Sequence, residues 1–456
     1  MSLENSIRMN KACQKNQKGD RSCMYKTLKA PLTVQVEVTW RCTHRCLHCY
    51  NFWRQDNKPA SRVDLSVDQM EQTINKLAKG GVFHIVFTGG EPLLNKQALF
   101  RGIECATEKD MTVGVNSNVT TITEQDAEHL KKLGVRLVLT SLMGPSAEIH
   151  DEIAQRSGAF ERALRGISRL QGAGVPVQVN MVVSQKNKAY VADTARLVKS
   201  LGLHHFNSTR AGCPGNCMDF SDMALSLVEF REYLDTLRDI GEELQLSVDA
   251  LESYPLCGMG NMERYGMFAT RRCLAGVTSM TVSADGFVRP CSHLDVKYGN
   301  IFEEDLAIIW SRMAPWRDHS LLPRVCQSCK ALSWCGGGCR MEAKMSNGSF
   351  DSLDPYAAPE NISSVLEGVN FIGKQRIAKS ARGTFRLFKL NPKVRLRSEE
   401  FGGVVFIGPR FSNYVNRDAF VFLSDLNIDG IYEVPPDEKW SGFINNLRQK
   451  EVLVPV

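Results

Sequence analysis

Three cysteines, Cys42, Cys46 and Cys49, follow the first strand-like run of this chain at the spacing C-x3-C-x2-C. Three thiolates from one short loop can hold three irons of a 4Fe-4S cube and leave the fourth iron open to an outside ligand. On the residues alone, the same triplet could hold zinc with a remote fourth ligand, or be three free thiols. A second motif bears on the choice. After the apolar run His84-Ile85-Val86-Phe87-Thr88 comes Gly89-Gly90-Glu91-Pro92. This reads as a strand-to-loop junction in which two glycines allow close backbone approach and a carboxylate can receive an ammonium.

At 456 residues the chain is long for one domain, and two or three are expected. Its fifteen cysteines would suggest disulfides in a small secreted protein, but Met1 to Lys29 is polar and basic, with no apolar signal region. A cytosolic protein with reduced thiols is expected. No apolar stretch approaches the length of a membrane span, and a net charge of +6 is too modest to argue for nucleic acid. Between Lys374 and Arg397 stand nine Lys or Arg and no acid, which reads as a solvated linker or a patch for an acidic partner.

From Val34 to Ser208, strand-like and helix-like segments alternate, as a parallel α/β domain requires. The predicted strands are Val34–Thr39, His84–Thr88, Met111–Val115, Val135–Thr140, Val177–Val183 and Leu203–Ser208. Ser66 with Gln69 forms a capping box, Met70, Ile74 and Leu77 make the apolar face that follows, and Gly80 stops the helix. Gly134, Gly174 and Gly202 read as similar stops. Both motifs then fall at C-terminal strand ends, where α/β folds bind ligands. Alternation alone permits either a barrel or a doubly wound sheet.

The two motifs together resemble the radical S-adenosylmethionine (SAM) superfamily, whose loop reads C-x3-C-x-aromatic-C, with His48 in the aromatic position. The resemblance implies an open (β/α)6 partial barrel. It also implies a 4Fe-4S cluster on Cys42, Cys46 and Cys49 whose open iron chelates SAM, and a role for Gly89, Gly90, Glu91 and Pro92 near the SAM amino group. Asn116-Ser117-Asn118 resembles the family's ribose-contacting turn. Ser141, and Arg156 in the loop containing His150-Asp151, resemble residues that meet the SAM carboxylate. Read without the family, Ser, Asn and Arg in loops are equally solvated or capping residues.

Cysteines become dense again after residue 250: Cys257, Cys273, Cys291, then Cys326-x2-Cys329-x5-Cys335-x3-Cys339. Zinc is an open reading of such a cluster. With Gly286 five residues before Cys291, the spacing resembles the SPASM extension, which holds two auxiliary iron-sulfur clusters. That resemblance implies Cys273, Cys291 and Cys339 at the first cluster and Cys326, Cys329 and Cys335 at the second. The chain departs from the pattern at Asp354-Pro355-Tyr356-Ala357, where the family commonly has a cysteine after the tyrosine. Asp351 or Asp354, a water, or an open iron could stand in. Cys257 is a spare cysteine for the first cluster, or a buried apolar residue.

The last part, 394–456, reads as a small winged-helix module built on Gly403 to Ile407, a turn at Gly408-Pro409, Asn416 as an N-cap, and Trp440, Phe443, Ile444 and Leu447 at helical spacing. It also resembles the RiPP (ribosomally made peptide natural product) recognition element, which captures a leader peptide as an added strand. The expected organisation is a polar segment 1–30, a radical SAM barrel 31–250, a SPASM domain 251–370, a basic linker 371–393 and this module.

The resemblances imply a 5′-deoxyadenosyl radical that takes hydrogen from a precursor peptide with a leader segment. They also imply a flavodoxin- or ferredoxin-type reductant, and an oxidative thioether or carbon-carbon cross-link as the product. A sulfatase-type maturase is the first rival. There an Asp follows the cysteine matching Cys291; here that residue is Ser292, and Asp295 is the nearby carboxylate. An iron-sulfur electron carrier is the second rival, disfavoured because a carrier needs no SAM pocket. An RNA methyl- or methylthiotransferase lacks a recognised RNA module here. Cys213 and Cys217, after the sixth strand, are candidates for hydrogen donation to a substrate radical, or structural thiols.

Overall fold

The computed structural model describes residues 27–51, 63–213, 220–269, 271–363, 365–367, 387–408, 411–433, 444, 447–448 and 450–455. Cys217, Trp440, Phe443, most of the N-terminal segment and most of the basic linker lie outside the described residues. The chain divides into two compact units, Ala30–Val369 and a second formed by Met1–Lys29 with Asn370–Val456.

In the larger unit, seven strands run parallel in sequence order: β1 (Thr33–Glu37), β2 (His84–Thr88), β3 (Thr112–Asn116), β4 (Leu137–Ser141), β5 (Val177–Val183), β6 (His205–Arg210) and β7 (Ser247–Ala250). A doubly wound sheet needs a reversal of strand order, and there is none here, so successive right-handed crossovers put the helices on one face. The sheet therefore fits the barrel expectation. Its strands are more numerous than the six predicted: β7 extends one edge, and β8 (Ser279–Val282) with antiparallel β9 (Val288–Arg289) extends the other beside β1. β7 escapes sequence reading because Ser-Val-Asp-Ala is short and carries an Asp.

The crossover helices are α1 (Val67–Lys79), α2 (Lys96–Glu108), α3 (Glu124–Lys132), α4 (Ala147–Ala154), α5 (Ala159–Gly172), α6 (Val191–Ser200) and α7 (Leu227–Glu243). Ser66 accepts from Gln69 N at 3.1 Å, and Met70, Ile74 and Leu77 are buried. Gly80 is the C-cap of α1 with right-handed backbone; the positive φ falls one residue later, at Gly81. Gly134, Gly174 and Gly202 have φ of 77°, 70° and 74°, as the stop signals require. His150 and Asp151, predicted in a loop, lie in α4. A short helix, α8 (Leu256–Met259), opens the cysteine-rich region.

The second unit has two three-stranded antiparallel sheets. One contains β10 (Leu387–Leu390), β14 (Tyr432–Glu433) and β15 (Leu453–Pro455), with β10 central. The other is the meander β11 (Arg395–Glu399), β12 (Gly402–Gly408) and β13 (Phe411–Asn416). Asn416 caps α9 (Arg417–Asp425), accepting from Ala419 N at 3.0 Å. Phe388, Val405, Ile407, Leu423, Ile444 and Leu447 share its core. β10 lies before residue 394, within the stretch read as linker. Among the described residues, no helix is long and apolar enough to cross a membrane.

Candidate active site and iron-sulfur sites

Every strand from β1 to β7 contributes, at or near its C-terminal end, to one cavity of about 320 Å³. Its wall includes Cys42, Cys46, Cys49 and His48 after β1, Gly89 and Gly90 after β2, Asn116 and Ser117 at β3, and Ser141 at β4. Most of the predicted SAM-site residues thus converge.

The cysteine loop is built by backbone bonds. Arg45 N and Leu47 N donate to Ala154 O and Ile153 O, both at 3.0 Å, so the loop sits on the C-terminal carbonyls of α4. His44 N reaches Cys42 Sγ at 3.4 Å, and Asn118 Nδ2 approaches the same sulfur at 3.9 Å. Amide donors aimed at sulfur suit a thiolate bound to iron. Asn51 Nδ2 ties the far end of the loop to Gly89 O at 3.2 Å.

The glycine pair is required by space. Gly90 N and Glu91 N donate at 2.7 Å to Thr39 O and Arg41 O. A Cβ at Gly90 would lie 2.1 Å from Arg41 O, and one at Gly89, whose φ is 137°, would lie 2.4 Å from Thr39 O. Gly90→Ala is expected to push the Thr39–Arg41 segment away from the turn and weaken SAM binding at least tenfold in anaerobic equilibrium dialysis. Unchanged affinity would count against this reading.

Glu91 does not line the cavity, contrary to the direct contact expected of it. Its buried carboxylate accepts from Leu93 N at 3.1 Å, Ser117 Oγ at 2.7 Å and Asn118 N at 2.8 Å. It pins the β3 turn to the glycine turn. Pro92, buried, starts the short 3-10 turn that follows. Burial raises the Glu91 pKa from 4.5 to about 7 against the pull of the three donors. Since the folded state holds this proton longer than the unfolded one, the contribution is complete below pH 4.5 and is lost as pH rises through about 7. Glu91→Gln is expected to cost about 1–3 kcal/mol, because an amide NH2 must face one donor. It should also flatten the decline in stability across that pH window, measured by urea unfolding.

Other predicted residues are not brought to the cavity. Arg156 is exposed on the turn between α4 and α5, and Asp295 is exposed beyond Leu294. Cys213 is half-buried, its amide donating to Glu342 Oε1 at 3.0 Å, while its neighbour Gly212 lines the wall. Arg156, Asp295 and Cys213 are thus absent from the cavity wall.

Several wall residues were not foreseen. His150 Nδ1 accepts from Met143 N at 3.1 Å, so Nε2 carries the hydrogen of the neutral ring. Burial holds the His150 pKa down at about 4. Burial, followed by His150 and His44, lowers His48 likewise. His48 Nδ1 and His150 Nε2 have no hydrogen-bond partner. Asn180 accepts from Thr209 Oγ1 at 2.9 Å, and Tyr50 stacks on His293 with centroids 4.1 Å apart. Glu252, two residues past β7, is half-buried, and the low-dielectric surroundings of its carboxyl push its pKa up to about 7. The alternation in Val177-Gln178-Val179-Asn180 was a signal for Asn180; nothing local marked Glu252.

The auxiliary cysteine Cys291 lies close by, since Ser292 and His293 share the cavity wall. His293 N donates to Cys291 Sγ at 3.4 Å. Arg289 fixes this loop through Ser292 O at 3.0 Å and Leu294 O at 2.9 Å, and pairs with Glu37 of β1. Leu256 N donates to Cys335 Sγ at 3.4 Å. Cys257, read as a spare for the first set, lies instead beside Cys329 and Cys335. Asp354 accepts from Cys339 N and Tyr356 N, both at 2.8 Å, and Asp351 is exposed beside Ser349.

Every cysteine among the described residues is a free thiol. Among them, no three Cys, His, Asp or Glu side chains gather as ligands of a single ion. The partnerless ring nitrogens, the glycine cradle and the amide donors to sulfur fit a cluster with SAM.

The Radical SAM superfamily model matches residues 36–198, and that of SPASM, an iron-sulfur cluster-binding domain, matches residues 273–330. An AdoMet-dependent heme synthase of Oleidesulfovibrio alaskensis is 28% identical over 341 residues, covering 71% of this chain and 86% of that protein. The antilisterial bacteriocin subtilosin biosynthesis protein AlbA of Bacillus subtilis is 26% identical over 330 residues, covering 70% and 69%. The solved structure of native anSMEcpe with bound AdoMet and Cp18Cys peptide superimposes with a TM-score of 0.59 at 19% identity, covering 76% of this chain and 99% of that one. That likeness is one of fold. With its cysteine loop at the strand ends and both domain models matched in order, this chain carries a radical SAM domain followed by a SPASM iron-sulfur cluster-binding domain.

Proposed function

We propose that the chain is a peptide maturase that makes an oxidative cross-link, a thioether or a carbon-carbon bond, in a ribosomally made precursor. The observation that carries this reading is the single cavity whose wall holds both the Cys42/Cys46/Cys49 loop and the Cys291–His293 loop. A substrate there would be flanked by both redox sites. When bound, the clusters and SAM supply the radical that removes hydrogen and an acceptor for the electron left behind.

The chain's own residues position and deprotonate. His150 Nε2–H and Asn116 offer polar contacts, while Tyr50 and His293 form an aromatic wall that excludes water from one side. A cross-link that loses two hydrogens also releases a proton, and the Glu252 carboxyl, poised near 7, is placed to take it. The peptide class is supported by AlbA's part in bacteriocin biosynthesis. In the second unit β11 and β13 are the outer strands of their sheet, and Tyr414 on β13 is exposed, which suits a leader peptide added as a strand.

The test is mass spectrometry of a peptide encoded beside this gene after anaerobic co-expression, with Cys42, Cys46 and Cys49 all replaced by Ala as control. Loss of two hydrogens only with intact cysteines is expected. A second reading, a heme-forming enzyme, is favoured by the heme synthase likeness. It predicts an unchanged peptide and added heme, seen by visible absorption.

A further inference from the structure

We propose that Cys257 is the fourth thiolate of the second auxiliary cluster, joining Cys326, Cys329 and Cys335 from the place left by the missing cysteine after Tyr356. Cys273, Cys291 and Cys339 then form the first set. The proposal rests on the SPASM domain and not on the peptide reading.

The Asp354–Ala357 turn, where the family commonly has its last cysteine, is fixed beside Cys257, whose thiol accepts from the Ala358 amide. Asp354 holds it against Cys339, accepting from Cys339 N and Tyr356 N with different oxygens. With both oxygens so engaged, Asp354 is a brace for this turn and a poor stand-in ligand. α8 presses on the same turn: a Cβ at Gly258 would lie 1.9 Å from Tyr356 O. Asn361 Nδ2 donates to Cys257 O at 3.3 Å. The residue before Cys257 completes the juxtaposition, with Leu256 N on Cys335 Sγ at 3.4 Å.

The thiols thus sort into two groups. Cys326 has Cys335, Cys257 and Cys329 as neighbouring thiols. Cys291 and Cys339 have Cys273, and the Arg340 amide next to Cys339 donates to the Cys273 thiol. All three members of this group also face Glu252. The chain keeps a four-thiolate second site although it has no cysteine after Tyr356.

The test compares iron and acid-labile sulfide per chain, with electron paramagnetic resonance spectra, in anaerobically reconstituted full-length variants. Cys257→Ala is expected to lower iron by up to one cluster or to convert one cluster to a three-iron form. The loss should overlap with that of Cys326→Ala and add to that of Cys291→Ala. Cys257→Ala/Ala357→Cys is expected to restore the wild-type iron and spectrum, which separates lost ligation from a failure to fold. Wild-type iron and spectra in Cys257→Ala would overturn the assignment. So would a loss that overlaps with Cys291→Ala and adds to Cys326→Ala.

Discussion

Replacing Cys42, Cys46 and Cys49 together with Ala is expected to reduce 5′-deoxyadenosine formation from SAM under dithionite to background and to lower bound iron by about four atoms per chain. The fold should persist. The loop backbone is held by Arg45 N and Leu47 N on the end of α4 and by Asn51 on Gly89 O, none of which uses a thiol. The auxiliary cysteines lie on other segments and should keep their iron, so the residual spectrum is that of the auxiliary clusters alone. Cleavage of SAM at more than a few per cent of the wild-type rate would mean that another site reduces it.

The second large effect is one of stability. Arg289 and Glu37 are 0% and 1% exposed, and Arg289 also caps the carbonyls of Ser292 and Leu294. Arg289→Ala leaves a carboxyl in the barrel interior without its cation and frees the Cys291 loop, a loss expected to cost about 3–5 kcal/mol in denaturant unfolding. Burial already pushes Glu37 up to about 7 despite its partner, so the orphaned group will take up a proton in preference to ionising. Combining Arg289→Met with Glu37→Gln should recover part of the loss. A single variant as stable as wild type would show that the pair contributes nothing net.

Much of the barrel was legible because its local signals agree. The β2 and β5 bounds match the prediction, and the Ser66 cap and the glycine stops occur where the sequence placed them. The strands β3, β4 and β6 are displaced towards their C-terminal ends, which puts Asn116, Ser141 and Arg210 on strands and not in loops. Spacing marked the cysteine motifs and, through the resemblance, two sets of thiols, but could not place Cys257, because its position depends on α8 packing against the Tyr356 turn. The bracing role of Glu91 was not legible for a related reason. A carboxylate beside two glycines looks like a ligand group, and only the approach of Ser117 and Asn118 reveals a brace. The wall residues His150 and Glu252 come from α4 and from beyond β7, one element read as a loop and the other not foreseen.

The central claim is that hydrogen is taken from a peptide held in this cavity. Its most direct test is anaerobic turnover of the neighbouring precursor carrying deuterium on its side chains, with 5′-deoxyadenosine and peptide analysed together by mass spectrometry. Deuterium in 5′-deoxyadenosine, matched by a peptide that has lost two hydrogen isotopes, is the predicted result. SAM cleavage that leaves the 5′-deoxyadenosine free of deuterium and the peptide mass unchanged would contradict it.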